Sequence, residues 1–337
     1  DAAQEENRMR RRIIQKGKGV SFKMGKKCIG IDVGGTSVKI GLFETTGDLL
    51  LKWEVPTRKE EGGKYIIGDV AASILKTLEE KQIPLEEVVG AGLGVPGPVM
   101  PDGSVEVCVN LGWRNVNPGK ELSGLLGGMP VKSGNDANVA ALGEMWQGGG
   151  KGFDDIVMVT LGTGVGGGVI IGQKIVAGKH GLAGEIGHIH IRDEETEHCN
   201  CGGVGCVEQI SSATGIAREA RRKMAASDAP SAMRKFGDRI TAKNVLDAAK
   251  AGDALALETM EVVGHYLGLA LAQISMVVDP EVFVIGGGVS RAGQFLIDTI
   301  YKHYDQYTPI SKNKSGIVLA TLGNDAGIYE AARQILD

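Results

Sequence analysis

The sequence predicts an α/β protein of two lobes with a central cleft. Three observations predict it: a strand–glycine turn–strand phrase that occurs twice, strands followed by helices in each half, and a chain of 337 residues, long enough for two cores. The first phrase is Ile29-Gly30-Ile31-Asp32-Val33-Gly34-Gly35-Thr36, resuming at Val38; the second is Val157-Met158-Val159-Thr160-Leu161-Gly162-Thr163-Gly164-Val165-Gly166-Gly167-Gly168. Glycine lets such a turn take positive φ and lets backbone N–H groups approach an anion with no Cβ in the way. Two such loops point to two similar half-domains facing one nucleotide.

Along the chain, Cys28–Asp32, Val38–Phe43 and Leu49–Val55 read as strands joined by glycine-containing turns. Tyr65–Lys81 carries Ile66, Val70, Ile74 and Leu78 at helical spacing. Val88–Val95 is an apolar strand closed by the rigid turn Pro96-Gly97-Pro98. Val131–Ser133 is a short strand feeding an alanine-rich helix, Ala137–Trp146. Gly148-Gly149-Gly150 reads as a flexible link. After it come strands Ile156–Leu161 and Gly168–Ile171, helices Ile210–Ala226, Ala242–Ala251 and Leu255–Val278, strand Val282–Ile285, and a closing helix Ala326–Leu336.

Composition narrows the function classes. Apolar residues make up 42% and the net charge is −4, which gives no reason to expect nucleic acid or an anionic membrane as the main partner. No apolar run reads as long enough to span a bilayer, and no secretory h-region is found. The 52 glycines cluster at turns and so are loop chemistry. Of five cysteines, three crowd at Cys199, Cys201 and Cys206, while Cys28 and Cys108 lie in apolar surroundings. That usage fits a reducing cytoplasm and a metal better than a disulfide framework. Residues 1–23 hold Arg8, Arg10, Arg11, Arg12, Lys16 and Lys18 without an apolar period, and read as a disordered basic extension ahead of a native start at Met24.

His188, Cys199, Cys201 and Cys206 give the spacing H-x10-C-x-C-x4-C. Thiolates and imidazole suit Zn²⁺, and four of them complete its tetrahedral shell. A full shell leaves no position for an activated water, so the predicted zinc is structural. His190 and His198 stand close enough in sequence to replace His188.

Ser133-Gly134-Asn135-Asp136-Ala137-Asn138 puts a carboxylate where a strand gives way to a helix. Asp and Asn are ordinary helix caps there. The same switch is also where α/β sheets present ligand-binding groups, and a carboxylate beside a sugar hydroxyl can take its proton as the oxygen attacks phosphorus. Glu185, His188 and Glu208 add further acceptors of the kind that recognise hydroxyl-rich ligands.

Taken together, Asp32-Val33-Gly34-Gly35-Thr36, Asn135-Asp136-Ala137-Asn138, Leu161-Gly162-Thr163-Gly164-Val165-Gly166, Gly184-Glu185-Ile186-Gly187-His188 and Cys199-x-Cys201-Gly202-x-x-Gly205-Cys206-x-Glu208 resemble the ROK family of repressors and sugar kinases. The likeness runs from about Lys27 to the C-terminus. Through Val109-Asn110-Leu111-Gly112-Trp113 and Ala140-Ala141-Leu142-Gly143-Glu144-Met145-Trp146 the chain is most similar to the bacterial ATP-dependent glucokinases. The resemblance implies an actin-like, hexokinase-type ATPase fold. It implies a small lobe of residues 24–140 with 319–337, and a large lobe of 141–318 carrying the zinc-binding insertion. Asp136 is then the general base on the sugar 6-hydroxyl, and Gly97, Asn110, Asn135, Glu185, His188 and Glu208 hold the other hydroxyls. His188 serves twice, one ring nitrogen to zinc and the other to sugar. Asp32 helps position Mg²⁺; Gly34, Gly35, Thr36, Thr163 and Gly164 cradle the phosphates of ATP. Gly286, Gly287, Gly288 and Asn324-Asp325-Ala326-Gly327 flank the nucleoside. Gly134 departs from the family pattern, which often has an acidic residue there. A homodimer and cytoplasmic glycolytic work are further implications.

Two other readings stay open on the sequence alone. A DNA-binding repressor needs a helix-turn-helix module, and the residues ahead of Cys28 lack two amphipathic helices. A kinase for N-acetylmannosamine, N-acetylglucosamine, allose or fructose would use the same hydroxyl-binding groups. The donor, ATP, ADP or polyphosphate, is equally open.

Overall fold

Two sheets of five strands each, with the same strand order, organise the chain. In the first half a meander of β1 (Lys27–Val33), β2 (Ser37–Glu44) and β3 (Leu49–Pro56) leads to α1 (Ile66–Glu80) and β4 (Val88–Val95). A hairpin of β5 (Val105–Cys108) and β6 (Trp113–Val116), then α2 (Pro118–Leu125), β7 (Val131–Asn135) and α3 (Asp136–Gln147) complete it. The second half repeats the plan with β8 (Ile156–Leu161), β9 (Val165–Ile171) and β10 (Lys174–Ile175). An insertion carrying α4 (Ala213–Ala225) and α5 (Ala242–Lys250) follows. Then come α6 (Ala254–Val278), β11 (Val282–Gly286), α7 (Gln294–Tyr307), β12 (Gly316–Leu319) and α8 (Ala326–Gln334). The computed structural model describes residues 26–96, 99–100, 102–176, 178–180 and 182–336, with backbone alone across 135–140. The basic extension at 1–23, Met24, Gly97 and Pro98 lie outside the described residues.

The order β3-β2-β1-β4-β7 in one sheet matches β10-β9-β8-β11-β12 in the other. In both, the meander is antiparallel and the two later strands join in parallel. β1 and β4 are almost entirely buried, as parallel strands covered on both faces are. α1 turns Ile66, Ile67, Val70, Ala71, Ile74 and Leu78 into the first core. α2 starts where a strand pattern cannot continue: Asn117 accepts from Lys120 N at 3.0 Å and Pro118 sits at the first helical position.

The closing helices are exchanged between the halves. Ile328 and Ala332 of α8 share a core with Cys28 and Phe43 of the first sheet. Ala141, Leu142 and Met145 of α3 pack with Ile156, Met158, Ile170 and Val284 of the second. α8 can lie this close only because its contact positions on the sheet have no side chain: a Cβ on Gly30 or Gly92 would run into the carbonyl oxygen of Ile328 or Ala331. The actin-like, hexokinase-type fold is thus seen as one plan used twice.

The structure corrects the sequence reading at four places. The helix expected over Ile210–Ala226 is broken: a single turn, Glu208–Ser211, ends at Ser212 (ψ 167°), whose side chain caps α4 by accepting from Gly215 N. β9 begins at Val165, three residues earlier than expected, because the glycines there are where the chain after Gly184 packs flush against it. The link at Gly148–Gly150 is pinned: Gly149 N donates to the buried carboxylate of Glu144 (2.7 Å), and Gly148 and Gly150 donate to its carbonyl. Finally, α6 is long and apolar enough by length and composition to cross a membrane. It instead forms the spine of the second core, with Leu255, Met260, Val263, Leu267 and Leu271 buried. The hairpin β5–β6, α2, α7 and β12 lie outside what the periodicity announced.

Candidate active site

The two glycine turns occupy equivalent positions, between the first two strands of each sheet. In the first, Gly34 N donates to Ser37 O (3.0 Å), a tight turn at the end of β1 that carries Asp32, Gly34, Gly35 and Thr36. The C-terminal segment closes against it: a Cβ on Gly327 would meet the Asp32 carboxylate, and Lys39 Nζ donates to Asn324 O (2.8 Å). In the second, the carbonyls of Gly162 and Thr163 are held by Ala213 N (2.8 Å) and Thr214 Oγ1 (2.9 Å) at the start of α4. Gly287, with φ +84°, lies directly against Leu161, so Gly286–Gly288 flanks this loop; a Cβ at Gly288 would point into open space. Backbone open on one side and tied down on the other is what an anion cradle requires.

Register fixes one edge of the first sheet. Asp32 pairs with Gly94, Gly94 with Gly134, and Val95 with Asn135, so the carboxyl ends of three parallel strands share one edge. Asn135 ends β7 and Asp136 begins α3 on that edge; their side chains lie outside the described ones, as does Gly97 altogether. Asn110 is exposed in the β5–β6 turn, and that hairpin is anchored where Cys108 Sγ donates to Pro96 O (2.9 Å).

His188, Cys199, Cys201 and Cys206 converge, their ligand atoms all within 4.8 Å of one another. Cys201 and Cys206 sulfurs stand 3.7 Å apart, and Cys199 Sγ stands 3.7 Å from His188 Nδ1. The edge of a tetrahedron with Zn–S bonds of about 2.3 Å is about 3.8 Å, so the donors fit the ion in spacing as well as in softness. Burial, and the neighbouring Cys201 and Cys199, push the Cys206 thiol up to about 12. A cation is what such a site needs to hold its sulfurs as thiolates. His190 is engaged elsewhere, with Nδ1 at Val204 O (2.7 Å) and Nε2 at Asp193 (2.8 Å), and His198 faces Gly202 O (3.2 Å). The choice left open in the sequence among three histidines falls on His188. Its other nitrogen, Nε2, faces the exposed Glu185 at 3.9 Å.

Glu208 joins this cluster to the second glycine turn. One carboxylate oxygen accepts from Val165 N (3.0 Å) at the second glycine turn; the other stands 3.8 Å from Cys199 Sγ. The metal loop is locked by Gln209, which accepts from Cys206 N (3.0 Å) and donates to Glu197 O (2.8 Å). Gly167 and Gly187 let the Glu185–His188 segment lie flush on β9, since a Cβ on either would strike the facing chain.

Two features escaped the sequence reading. A cavity of about 340 Å³ opens beside Gly288, lined by Thr241, Leu246, Val289 and Arg291. Beyond Gly286–Gly288, already read as flanking a nucleoside, its sequence signal is the capping box of Thr241 and Asn244 that starts α5 there. The second is an ion network: Glu195, buried, and Glu219 pair with Arg192, Arg218 and Arg222, tying the metal loop to α4.

The pattern of the ROK family matches residues 28–336 of the chain. A glucokinase of Halalkalibacterium halodurans is 42% identical over 304 residues, 89% of this chain and 92% of that protein. The crystal structure of a ROK hexokinase from Thermus thermophilus superposes with a TM-score of 0.76 at 29% identity, covering 91% of this chain and 97% of that one. A ROK glucokinase from Streptomyces griseus, solved in complex with glucose and AMPPNP, gives a TM-score of 0.67 at 31% identity over 91% of this chain and 98% of that one.

Proposed function

The chain belongs to the ROK family, and from that premise we propose that it transfers the terminal phosphoryl group of ATP to the 6-hydroxyl of glucose. One observation supports this reading: Glu208 spans from the cluster of metal-type donors to the second glycine turn, which brings one of the proposed sugar acceptors beside one of the proposed phosphate loops. The similarity to glucokinases of known name supports glucose over other hexoses.

In this proposal Asp136 takes the hydroxyl proton, and Asn110, Asn135, Gly97, Glu185, His188 and Glu208 hold the remaining hydroxyls. The in-line transfer needs positioning, charge neutralisation and exclusion of water more than covalent help from protein. Mg²⁺ supplies charge neutralisation at the phosphates, beside Asp32, and Gly34–Thr36, Thr163 and Gly164 receive them. The nucleoside goes to the cavity beside Gly288. Zn²⁺, held by His188, Cys199, Cys201 and Cys206, is structural: it fixes the His188 ring so that the second nitrogen is free for sugar. Residues 24–140 with 319–337 act as one lobe and 141–318 as the other. Five free thiols support a reducing, cytoplasmic setting. A homodimer belongs to the same reading, supported by the apolar Met276 and Val277 left exposed at the C-terminal end of α6.

A coupled assay over a panel of hexoses and of ATP, ADP and polyphosphate, ranked by kcat/KM, tests the proposal. Glucose with ATP should lead. Preference for an N-acetylated hexose or for polyphosphate would overturn the assignment of substrate or donor, and metal analysis showing no zinc in chelator-free protein would remove the metal.

A further inference from the structure

The kinase reaction proposed for this chain carries a phosphoryl group from the glycine turns to a sugar hydroxyl, and the role assigned here to one more residue rests on that reaction. The transferred group must pass between the first turn and the hairpin bearing Asn110. One short segment joins those two places. At its start Thr57 N donates to Thr36 O (3.0 Å) and Thr57 Oγ1 to Gly34 O (2.7 Å), fixing it beside the first turn. At its end Gly63 O accepts from Trp113 Nε1 (3.1 Å), and Gly62 and Gly63 lie against Leu111 and Gly112, next to Asn110.

Lys59 stands between these anchors. Its Nζ lies 3.5 Å from where a Cβ on Gly35 would project. Arg58, Glu61 and Lys39 are committed elsewhere. Arg58 forks onto both carboxylate oxygens of Asp69 and covers the Tyr65 ring. Glu61 is taken by Lys64 and Tyr65. Lys39, the lysine of the glycine motif, is spent on the Asn324 carbonyl. Lys59 is exposed and has no ion-pair partner among the described residues. A compact ammonium on a flexible stem, held at both ends of its segment, suits a group that must follow a moving anion.

We propose that Lys59 is a phosphate-contacting residue, whose ammonium takes the non-bridging oxygens of the phosphoryl group in flight over Gly35. Placed there, it opposes charge on those oxygens without exchanging a proton. Lys59→Met and Lys59→Arg in the full chain test it. The methionine variant should lose about 10²-fold in kcat, the scale for removing one such donor. It should bind ADP and glucose as the parent does, yet bind a non-hydrolysable ATP analogue about tenfold more weakly. The arginine variant should recover most of both losses. A merely structural lysine would not separate the analogue from ADP. A methionine variant with kcat within about twofold of the parent and an unchanged analogue-to-ADP ratio would overturn the assignment. So would equal losses in both variants together with lost glucose binding. If the parent phosphorylates no hexose while the analogue still distinguishes it from Lys59→Met, the glucose kinase proposal fails and the phosphate contact stands.

Discussion

At the scale of single residues, two carboxylates of α3 differ in role: one is the proposed base and the other is buried in the fold. Asp136 opens α3 on the edge shared by β1, β4 and β7. Asp136→Asn should keep glucose affinity and lose about 10²–10⁴-fold in kcat, the span for losing a general base; steady-state kinetics beside a glucose titration measure both. Glu144 is the architectural counterpart. Fully buried, it accepts from Gly149 N (2.7 Å), Thr321 N (3.0 Å) and Leu322 N (2.9 Å), so one side chain ties the exit of α3 to the segment that leads from β12 into α8. Glu144→Ala strands those donors, and unmet buried donors cost about 1–3 kcal/mol each. We expect a loss of about 3 kcal/mol or more in urea unfolding, with the glutamine variant in between. Glu144 stands out in sequence only as one letter of a family motif. Two of its three partners come from a segment that begins 177 residues later, which no local pattern reveals.

At the scale of elements, the metal loop has two independent fastenings. One is the His188–Cys206 donor set; the other is the Glu195, Glu197 and Glu219 network with Arg192, Arg218 and Arg222. The Arg222 guanidinium, with backbone donors and Arg218, holds the Glu195 carboxyl at about 2, against 4.5 ordinarily. Between those values the unfolded chain binds a proton that the fold does not. The stabilisation is therefore whole above about pH 4.5 and drains away as pH falls toward about 2. At neutral pH it is on the order of 3 kcal/mol. The difference in urea midpoint between the parent and Glu195→Gln should be largest at about pH 6–7 and shrink steadily toward about pH 3. A difference flat with pH would show the network to be inert. The cysteine spacing announced the metal side of this loop, because ligation needs fixed residue types. The ion network was not legible, because charges on a helix face look alike whether they meet solvent or each other.

At the scale of the whole molecule, exchange of α3 and α8 means each half carries the other's closing helix. The chain passes between the halves where β7 gives way to α3 and where β12 leads into α8. Sugar binding should draw the lobes together and exclude water, so ATP hydrolysis without sugar should be slow. Small-angle scattering should show a smaller radius of gyration with glucose than without it. An unchanged radius together with brisk sugar-free hydrolysis would contradict closure. What the sequence alone determined was local: both glycine turns, the central strands, the long helices and the three clustered cysteines. Each follows from residue type, periodicity or spacing within a short window. Only the tertiary structure decided which histidine joins the sulfurs, that Glu208 ties them to a glycine turn, and that a break at Ser212 aims α4 at Gly162 and Thr163. Those outcomes depend on which surfaces meet across long sequence separations. Residue type and spacing permit several such meetings, and packing selects one.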